Sequence, residues 1–361
     1  MPAEWEPHAA TWIGWPHHRP DWPGKFEPIP WVYAEIVRVL HRNERVEILC
    51  HGEAARADAE RALQAHDVNL SRVRLHMLAT DRVWVRDSGP TAVVTADGGV
   101  EWIAWRFNAW AKYENYRSDA LVADAIARLS ELPLVEAVRP DGGGRLVLEG
   151  GAIDTDGAGQ LLVTEECLLS PVQERNPGLD RAGYERAFAE YLGIRRTIWL
   201  GEGCVGDDTH GHVDDVARFV APDTVVVAYE ADPSDENHAR SVDNLRRLKA
   251  AARATDGGLR IVRLPFPRPV IMEGERLPAS YANFYAANGV VIVPTFNDVN
   301  DRVALNTLAE LFPDRDVVGI HAVDLVWGLG TLHCLTQQQP VGAPAHGESL
   351  KTESEKRQRT G

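Results

Sequence analysis

The stretch NGVVIVPTFNDVNDRVALNTLAELFP, residues 288–313, shows an order of segments that is repeated along the chain. Its apolar run VVIVP predicts a buried strand, and the polar loop TFND ends that run. A helical pattern follows, in which Ala304, Leu308, Leu311 and Phe312 are spaced to lie on one face. We therefore predict a strand, a loop and a half-buried helix in this order.

Four further stretches have the same order of segments. It is plain in residues 159–193 and 223–251, and looser after ATWIGWP and after PTAVVTADG. The predicted buried faces of three of these helices are Val32, Ile36, Val39 and Leu40, then Val122, Ile126 and Leu129, then Tyr184, Phe188, Tyr191 and Leu192. The five units begin near Ala10, Pro90, Gln160, Thr224 and Gly289, about 65 to 80 residues apart. This period indicates modules around a central axis, and an ordinary α/β sheet of similar units is the alternative.

The composition excludes several classes of function. The chain has 361 residues, 44% of them apolar, and a formal net charge of −15. An acidic balance argues against nucleic acid and anionic membranes as partners, and it is compatible with a small cationic molecule. No apolar run is long enough to span a membrane, and the N-terminal residues do not resemble a signal peptide.

The cysteines and the ends of the pattern predict the cellular setting and the domain organisation. Cys50, Cys167, Cys204 and Cys334 lie far apart without a C-x-x-C motif, so we expect free thiols in the cytoplasm. No linker divides residues 1–340, which are predicted to form a single domain. Residues 341–361 have almost no large apolar side chain and are predicted to be a disordered tail. The sequence leaves the oligomeric state open and is compatible with a homo-oligomer.

Two acidic residues stand next to apolar runs and glycines. Asp87, in RVWVRDSGP, ends a strand-like run and could bind a ligand cation; a surface pair with Arg86 or a turn cap is the alternative. Glu149, in VLEGGAIDTDG, precedes two glycines, which let a backbone or a ligand approach closely. An acid at such a place is a candidate catalytic residue.

The motif DDTHGHVDDVARFV, residues 207–220, concentrates acids and histidines. In an extended chain Asp208, His210, His212 and Asp214 would project on one side. Histidine transfers protons near neutral pH, and a nearby carboxylate can fix its tautomer. A zinc site that includes Cys204 and a solvated loop without a role are the alternatives.

The run LGTLHCLTQQQP, residues 329–340, places Cys334 after glycines and beside a histidine. This setting favours a nucleophile over a small buried hydrophobe, and Cys204 is the rival candidate. Cys50 and Cys167 fit the role of buried hydrophobes. Several acids around a thiol suit a cationic substrate, and a planar guanidinium matches paired carboxylates.

Eight motifs carry a family resemblance, and they are MPAEWEPHAATWIGWP, WVRDSGPT, FNAW, EGGAIDTDG, TEECLLSP, DDTHGHVDDVARF, SYANFYAANGVVIVP and GLGTLHCLTQQQP. Their order over residues 1–340 resembles the agmatine deiminase and bacterial peptidylarginine deiminase family of guanidine-modifying enzymes. The resemblance implies the pentein fold. This is a five-bladed α/β propeller of five-fold pseudo-symmetric ββαβ-type units around a central active-site channel.

The resemblance also implies a role for each matching residue. The catalytic positions correspond to Cys334 as the nucleophile, His212 as the general acid and base, Asp214 and Glu149. The substrate-binding positions correspond to Asp87 and Asp214 on the guanidinium, Trp84 along the aliphatic stem, and Asn283. The implied reaction forms a thiouronium on the cysteine, releases ammonia, and ends when water frees the ureido product. No metal and no organic cofactor are implied.

The chain departs from the family pattern near the expected channel entrance. Leu329 and Thr331 stand in a run that is commonly Gly-Gly-Gly-Asn, and Ala111 and Lys112 follow FNAW where two glycines are usual. No evident pair of arginines follows Asp87 to bind a substrate carboxylate, and Arg106 is the one near candidate. We therefore favour agmatine as the substrate over free or peptidyl arginine. A metal-dependent hydrolase and a catalytically silent guanidine-binding module are the alternatives from other classes.

Overall fold

The computed structural model describes residues 1–254 and 258–342 and shows a mixed α/β fold. Its strands are β1 (His8–Gly14), β2 (Arg45–Cys50), β3 (Val73–Met77), β4 (Thr91–Val94), β5 (Val100–Ala104), β6 (Leu134–Glu136), β7 (Asp154–Thr155), β8 (Gln160–Thr164), β9 (Arg196–Leu200), β10 (Ala217–Ala221), β11 (Thr224–Tyr229), β12 (Arg260–Pro265), β13 (Ile271–Met272), β14 (Glu275–Arg276), β15 (Tyr285–Ala287), β16 (Val290–Thr295), β17 (Asp316–His321) and β18 (Thr336–Pro340).

Helices connect these strands. The α-helices are α1 (Ile29–Leu40), α2 (Gly52–Ala65), α3 (Val85–Ser88), α4 (Val122–Ser130), α5 (Glu165–Leu169), α6 (Arg181–Leu192), α7 (Glu236–Arg253), α8 (Val299–Leu311) and α9 (Leu332–Leu335). Short 3-10 turns cover Arg19–Asp21, Leu70–Arg72, Ala109–Ala111, Asp119–Leu121, Gly150–Ala152, Val213–Asp215 and Leu325–Gly328. No helix in the described part of the chain has both the length and the apolar character needed to cross a bilayer.

The predicted repeat is present as five sheets with one strand pattern within the described residues. They are β18-β1-β2-β3, β4-β5-β6, β7-β8-β9, β10-β11-β12 and β15-β16-β17. In each sheet the first strand is antiparallel to the second, and the second is parallel to the third. The predicted start at Pro90 was one strand early, because β5 and not β4 corresponds to the central strands of the other sheets. The short hairpin β13-β14 stands outside this pattern.

The helices bury most of the faces predicted from their spacing. In α6, Tyr184 and Phe188 are fully buried, as are Ala304 and Leu308 in α8. Tyr191 and Leu311 are partly buried and pack against the core clusters. The prediction was wrong for Leu129, which is 41% exposed because it lies in the last turn of α4.

The C-terminal strand closes the first sheet. Strand β18 pairs antiparallel with β1, and its glutamines are buried although the run QQQP is polar. The indole of Trp12 donates a hydrogen bond of 3.0 Å to Gln339 Oε1, and Arg86 donates one of 2.7 Å to Gln338 Oε1. The largest apolar cluster joins the first and last sheets and includes Ile13, Ile292 and Leu335. The predicted tail falls largely on residues 343–361, which lie outside the described residues.

Candidate active site

Short turns just before the antiparallel first strands carry the predicted site residues. They are, in chain order, Asp87 on α3 before β4, Glu149 before β7, His212 and Asp214 before β10, Asn283 before β15, and Cys334 on α9 before β18. Helix α3 contacts α9 and the turn Gly150–Ala152, and that turn contacts the turn Val213–Asp215. The equivalent position of each sheet therefore contributes to one site.

Trp84 and Asp87 lie on a helical turn, which corrects the strand-like run predicted there. Residues three apart on a helix lie on the same side, so both side chains line one cavity, whereas strand alternation would have separated them. Asp87 accepts hydrogen bonds from the backbone N–H of Gly151 at 3.0 Å and from the indole of Trp110 at 2.9 Å. Burial raises the pKa of Asp87, and the charge of His212 opposes this rise.

Asn283 holds the turn on which Cys334 lies. Its Oδ1 accepts hydrogen bonds from the hydroxyl of Thr331 at 2.7 Å and from the backbone N–H of His333 at 3.0 Å. Its Nδ2 donates to Cys334 Sγ at 3.2 Å, and Asp214 Oδ2 lies 3.8 Å from the same sulfur. The amide therefore fixes both the backbone and the thiol of the candidate nucleophile.

The surroundings of Cys334 disfavour its thiolate in the free protein. Burial raises the pKa of the Cys334 thiol well above its ordinary value, and the carboxyl groups of Asp214, Asp215 and Asp87 add to the rise. Asp215, which the sequence analysis missed, is itself buried, and burial with the adjacent charge of Asp214 raises its pKa well above the usual range. A cation bound among these acids would lower the pKa of the thiol.

His212 lies between two carboxyl groups. Its Nδ1 is 3.8 Å from Asp87 Oδ2 and its Nε2 is 3.7 Å from Glu149 Oε2, distances that fit charge attraction and exceed those of hydrogen bonds. Burial lowers the pKa of His212, but the charge of Asp87, together with Cys167 and Glu149, outweighs burial and holds the pKa well above the ordinary value. Burial alone would raise the pKa of Glu149, but the guanidinium of Arg175 and the nearby His212 lower it to about 2. The pair is therefore an imidazolium beside a carboxylate.

A buried network behind the thiol includes residues that the sequence analysis missed. His333 hydrogen-bonds through Nδ1 to Asp214 Oδ2 at 2.7 Å and through Nε2 to Glu4 Oε2 at 2.8 Å. Glu4 also forms ion pairs with Arg86 at 3.3 Å and with Arg218 at 2.8 Å. Despite the burial of Asp214, the hydrogen bond from His333 lowers its pKa. Glu4 and His333 each stand in one of the motifs quoted above. Neither motif predicts that the two side chains are in contact.

The candidate nucleophile opens into a cavity of about 530 Å³. Cys334, Trp84 and Asp87 line it, together with Gly330 and Trp110. His212, Glu149, Asp214 and Asn283 are almost fully buried behind this lining. The thiol of Cys334 and the carboxyl group of Asp87 therefore share one cavity with the indole of Trp84.

The loop 207–212 differs from the predicted extended strand. His210 and Gly211 have φ of 65° and 94°, so the chain turns between the two histidines. His210 Nε2 hydrogen-bonds to the hydroxyl of Ser170 at 3.0 Å, and Asp208 accepts a hydrogen bond from the hydroxyl of Tyr113 at 2.7 Å. The side chains of residues 208, 210, 212 and 214 therefore do not project on one side. The geometry does not support a zinc site that uses both His210 and His212. Cys204, the rival nucleophile, lies apart in a small apolar cluster.

The departures from the family pattern have distinct surroundings. Leu329 has φ of 67° and lines the cavity, and Ala111 has φ of 53° in a turn next to Trp110. Lys112 forms an ion pair with Asp208. Arg106 is exposed and is not part of the cavity lining, so it does not fit the predicted role of binding a substrate carboxylate there.

Comparisons with known proteins identify the family of the chain. The profile of the Porphyromonas-type peptidyl-arginine deiminase family matches residues 1–340. Agmatine deiminase of Stutzerimonas stutzeri is 36% identical and covers 94% of this chain and 95% of its own length. The solved agmatine deiminase of Enterococcus faecalis superposes with a TM-score of 0.86 at 30% identity, covering 94% of this chain and 95% of that chain.

A second solved structure, a cysteine-to-serine variant of C. jejuni agmatine deiminase with substrate bound, has a TM-score of 0.83 and 28% identity. It covers 95% of this chain and 96% of that one. These proteins share the mixed α/β pentein fold with the chain described here. The chain belongs to the Porphyromonas-type peptidyl-arginine deiminase family, and it is a hydrolase that acts on carbon–nitrogen bonds.

Proposed function

We propose that the protein deiminates a guanidino group through a covalent intermediate on Cys334. The observation that carries this proposal is the position of the Cys334 thiol, 3.8 Å from Asp214 and on the same cavity as Asp87. A thiol surrounded by carboxylates is poorly suited to attack a neutral carbonyl. It is well suited to a cation that the carboxylates hold and that makes the thiolate more stable.

Asp87 and Asp214 hold the guanidinium in this proposal. A Cβ atom placed on Gly151 would lie 3.0 Å from an oxygen of each carboxyl group, so the two acids converge on one small region. A planar guanidinium offers several N–H donors in a fork, which two carboxylates can accept together. The central carbon then faces the sulfur of Cys334, and Trp84 covers the aliphatic stem.

The first half of the reaction releases ammonia. As the guanidinium binds, the Cys334 thiol loses its proton to solvent, and the thiolate forms a bond to the guanidinium carbon. His212, which is protonated in the free protein, gives its proton to one amino group of the tetrahedral intermediate. The carbon–nitrogen bond breaks, ammonia leaves, and a thiouronium cation remains on the sulfur.

The second half restores the enzyme. Neutral His212 removes a proton from water, and the resulting hydroxide adds to the thiouronium carbon. The carbon–sulfur bond breaks and returns the electron pair to Cys334, so the ureido product is released. The proton left on that product passes to solvent, Cys334 regains from solvent the proton that it lost, and over the whole cycle ammonia becomes ammonium. Glu149, ionised and held by Arg175, stabilises the imidazolium in both halves.

We favour agmatine as the substrate, which would give N-carbamoylputrescine and ammonia. Relatives named agmatine deiminase are 36% identical to this chain over nearly its whole length. Within the described residues, the cavity lining has four carboxyl groups, from Asp21, Asp87, Asp208 and Glu275, against the guanidinium groups of Arg82 and Arg276. An excess of acids favours a substrate that is cationic at both ends.

The same lining supplies the reason for a second candidate, the deimination of free or peptidyl arginine. Arg82 and Arg276 could receive a carboxylate, but each is already paired with an acid. Arg82 lies 3.4 Å from Asp21, and Arg276 lies 2.9 Å from Asp235. Binding a carboxylate would require one of these pairs to open, so we rank arginine below agmatine.

We also propose that residues 1–340 form one domain in which the five sheets surround the site as a five-bladed propeller. The repeated strand pattern and the equivalent position of the site turns support this arrangement. A cytoplasmic location is supported by four cysteines that are all free and buried. The expected partner is the small cationic substrate, without nucleic acid or membrane.

Ammonia release from agmatine, arginine and a C-terminal arginyl peptide tests the proposed function. We expect release from agmatine in the presence of a chelator, loss of that release in Cys334→Ala, and a covalent adduct of the wild type by mass spectrometry. Release from arginine or the peptide alone would reverse the ranking of substrates. Full activity of Cys334→Ala would overturn the covalent mechanism.

A further inference from the structure

A second thiol lies on the buried side of the candidate acid and base. Cys167, on α5, is 1% exposed, and its Sγ forms a cluster with Glu149 and His212, which are also buried. One ligand atom from each of these residues lies within 4.8 Å of the other two. The sequence analysis had treated Cys167 only as a small buried hydrophobe.

The polar atoms of this cluster are left without hydrogen bonds. Among the described residues, neither ring nitrogen of His212 has a hydrogen-bond partner, nor does Glu149 Oε2. The other oxygen of Glu149 accepts a hydrogen bond from Arg175 at 3.1 Å, which fixes the carboxylate with Oε2 turned to the imidazole. Unpaired polar atoms are costly in a buried place, so a group that pairs with these three atoms would be stabilised there.

One threonine aligns the two segments that supply the thiol and the imidazole. Thr164 Oγ1 accepts a hydrogen bond from the backbone N–H of Cys167 at 3.1 Å. The same hydroxyl donates to the carbonyl oxygen of Gly211, the residue before His212. The relative position of Cys167 and His212 is therefore set by a direct link and does not depend on a bound ion.

A thiolate, an imidazole and a carboxylate are a donor set that suits Zn²⁺. We propose that Cys167, His212 and Glu149 form a zinc site, in which water supplies the fourth ligand, and that zinc bound there inhibits the enzyme. The proposal that zinc inhibits the enzyme rests on the proposed function, because the ion would be coordinated by His212, whose imidazole must donate and accept the proton. The binding part stands on the geometry of the cluster alone.

A direct metal titration tests the binding. We would titrate the metal-free protein with Co²⁺ as a spectroscopic probe and then displace it with Zn²⁺, following the thiolate-to-cobalt charge-transfer band. The wild type, Cys204→Ala and Cys334→Ala should each bind one ion with this band. Cys167→Ala should lose the band and bind Zn²⁺ at least tenfold more weakly. Cys167→Ser, which preserves the volume better, provides the same comparison if the alanine variant does not fold.

Inhibition of ammonia release is the second readout. Zn²⁺ should inhibit the wild type and Cys204→Ala, and a chelator should restore both. Cys167→Ala should remain active and need at least tenfold more Zn²⁺ for the same inhibition. If Cys334→Ala, and not Cys167→Ala, abolished the cobalt band, the ion would belong to the nucleophile and the proposal would be wrong. Absence of the band in the wild type would also overturn it. The cobalt spectrum decides the binding even if no guanidino compound is turned over, so the two proposals can fail separately.

Discussion

Gly151 lies so close to His212 that a Cβ atom at position 151 would be 2.5 Å from the imidazole Nδ1. The same atom would lie 3.0 Å from an oxygen of Asp87 and of Asp214. The lack of a side chain at this one position lets the imidazole and both carboxylates meet. The imidazole and the two carboxylates therefore leave no room for a side chain on the second glycine of the EGG motif.

We predict that Gly151→Ala reduces kcat/KM at least 100-fold, because a displacement of about 1 Å at a reaction centre can have that effect. Steady-state kinetics and circular dichroism would measure activity and folding together. Gly178→Ala is the matched control, since a Cβ there meets nothing within 4 Å although its φ is 76°. That control should lose some stability and keep its activity. An active Gly151→Ala enzyme would show that the crowding is relieved elsewhere.

We predict that His333→Gln makes activity more sensitive to acid. His333 lowers the pKa of Asp214, so removing it should raise that pKa, and Asp214 should become protonated at a higher pH. The acid limb of the profile of kcat/KM against pH should then shift upward, so the variant should lose more activity relative to the wild type at pH 6 than at pH 8. His238→Gln is the control, because the ring of His238 hydrogen-bonds to the backbone carbonyl of Glu230 and not to a carboxyl group. A uniform loss at every pH would contradict the assigned cause.

We predict that Asp119→Asn makes the stability of the protein less dependent on pH. Burial raises the pKa of Asp119 from 3.8 to about 7, so the folded state keeps a proton that the unfolded chain loses. The stabilisation from this group is complete below pH 3.8 and is lost as the pH rises through about 7. The free energy of unfolding of the wild type should therefore decrease between pH 5 and pH 8 by more than about 1 kcal/mol through this group.

Urea unfolding of both proteins at the two pH values would measure this effect. Asparagine retains an oxygen that can accept the hydrogen bond of 2.7 Å from the backbone N–H of Asp81, so Asp119→Asn should fold. Its free energy of unfolding should decrease less between the two pH values than that of the wild type. Equal slopes for the two proteins would exclude Asp119 as a source of the dependence.

We predict that Ala111→Gly stabilises the protein. Ala111 has φ of 53°, a conformation that costs an L-residue about 1 kcal/mol and costs glycine almost nothing. Thermal unfolding should show a higher Tm for this variant. Ala57→Gly, on the exposed face of α2, is the opposite control and should destabilise by about 1 kcal/mol. A lower Tm for Ala111→Gly would mean that the methyl group makes contacts worth more than the strain.

The parts of the fold that the sequence predicts are those with local causes. The spacing of apolar residues identifies the central strands and the helices that follow them, because burial of one face repeats within a few residues. The antiparallel first strands are harder to recognise, since they are as short as Asp154–Thr155 and carry no periodic pattern. The start at Pro90 was misplaced for a different reason, because the first strand β4 carries the largely buried run TAVV and resembles a central strand.

The site follows the same division. The resemblance selects residues that the structure places around one cavity, but the pattern of alternation fails at Gly211, where a positive φ turns the chain. The contact between Glu4 and His333 joins residues 329 positions apart, and no local pattern indicates it. The ion pair between Arg175 and Glu149 could not be predicted either, because the sequence alone does not distinguish an arginine on the surface from a buried one.

The pairing of β18 with β1 has a consequence for the newborn chain on the ribosome. The first sheet lacks its edge strand until residues 336–340 have been synthesised, and Cys334 emerges only two residues before that strand. The other four sheets consist of residues that are synthesised earlier, so Cys334 can join Asn283 and Asp214 only after the strands of those sheets have been made. In the proposed mechanism an unfinished chain therefore lacks its nucleophile, and the residues that complete the first sheet directly follow the one that completes the candidate site.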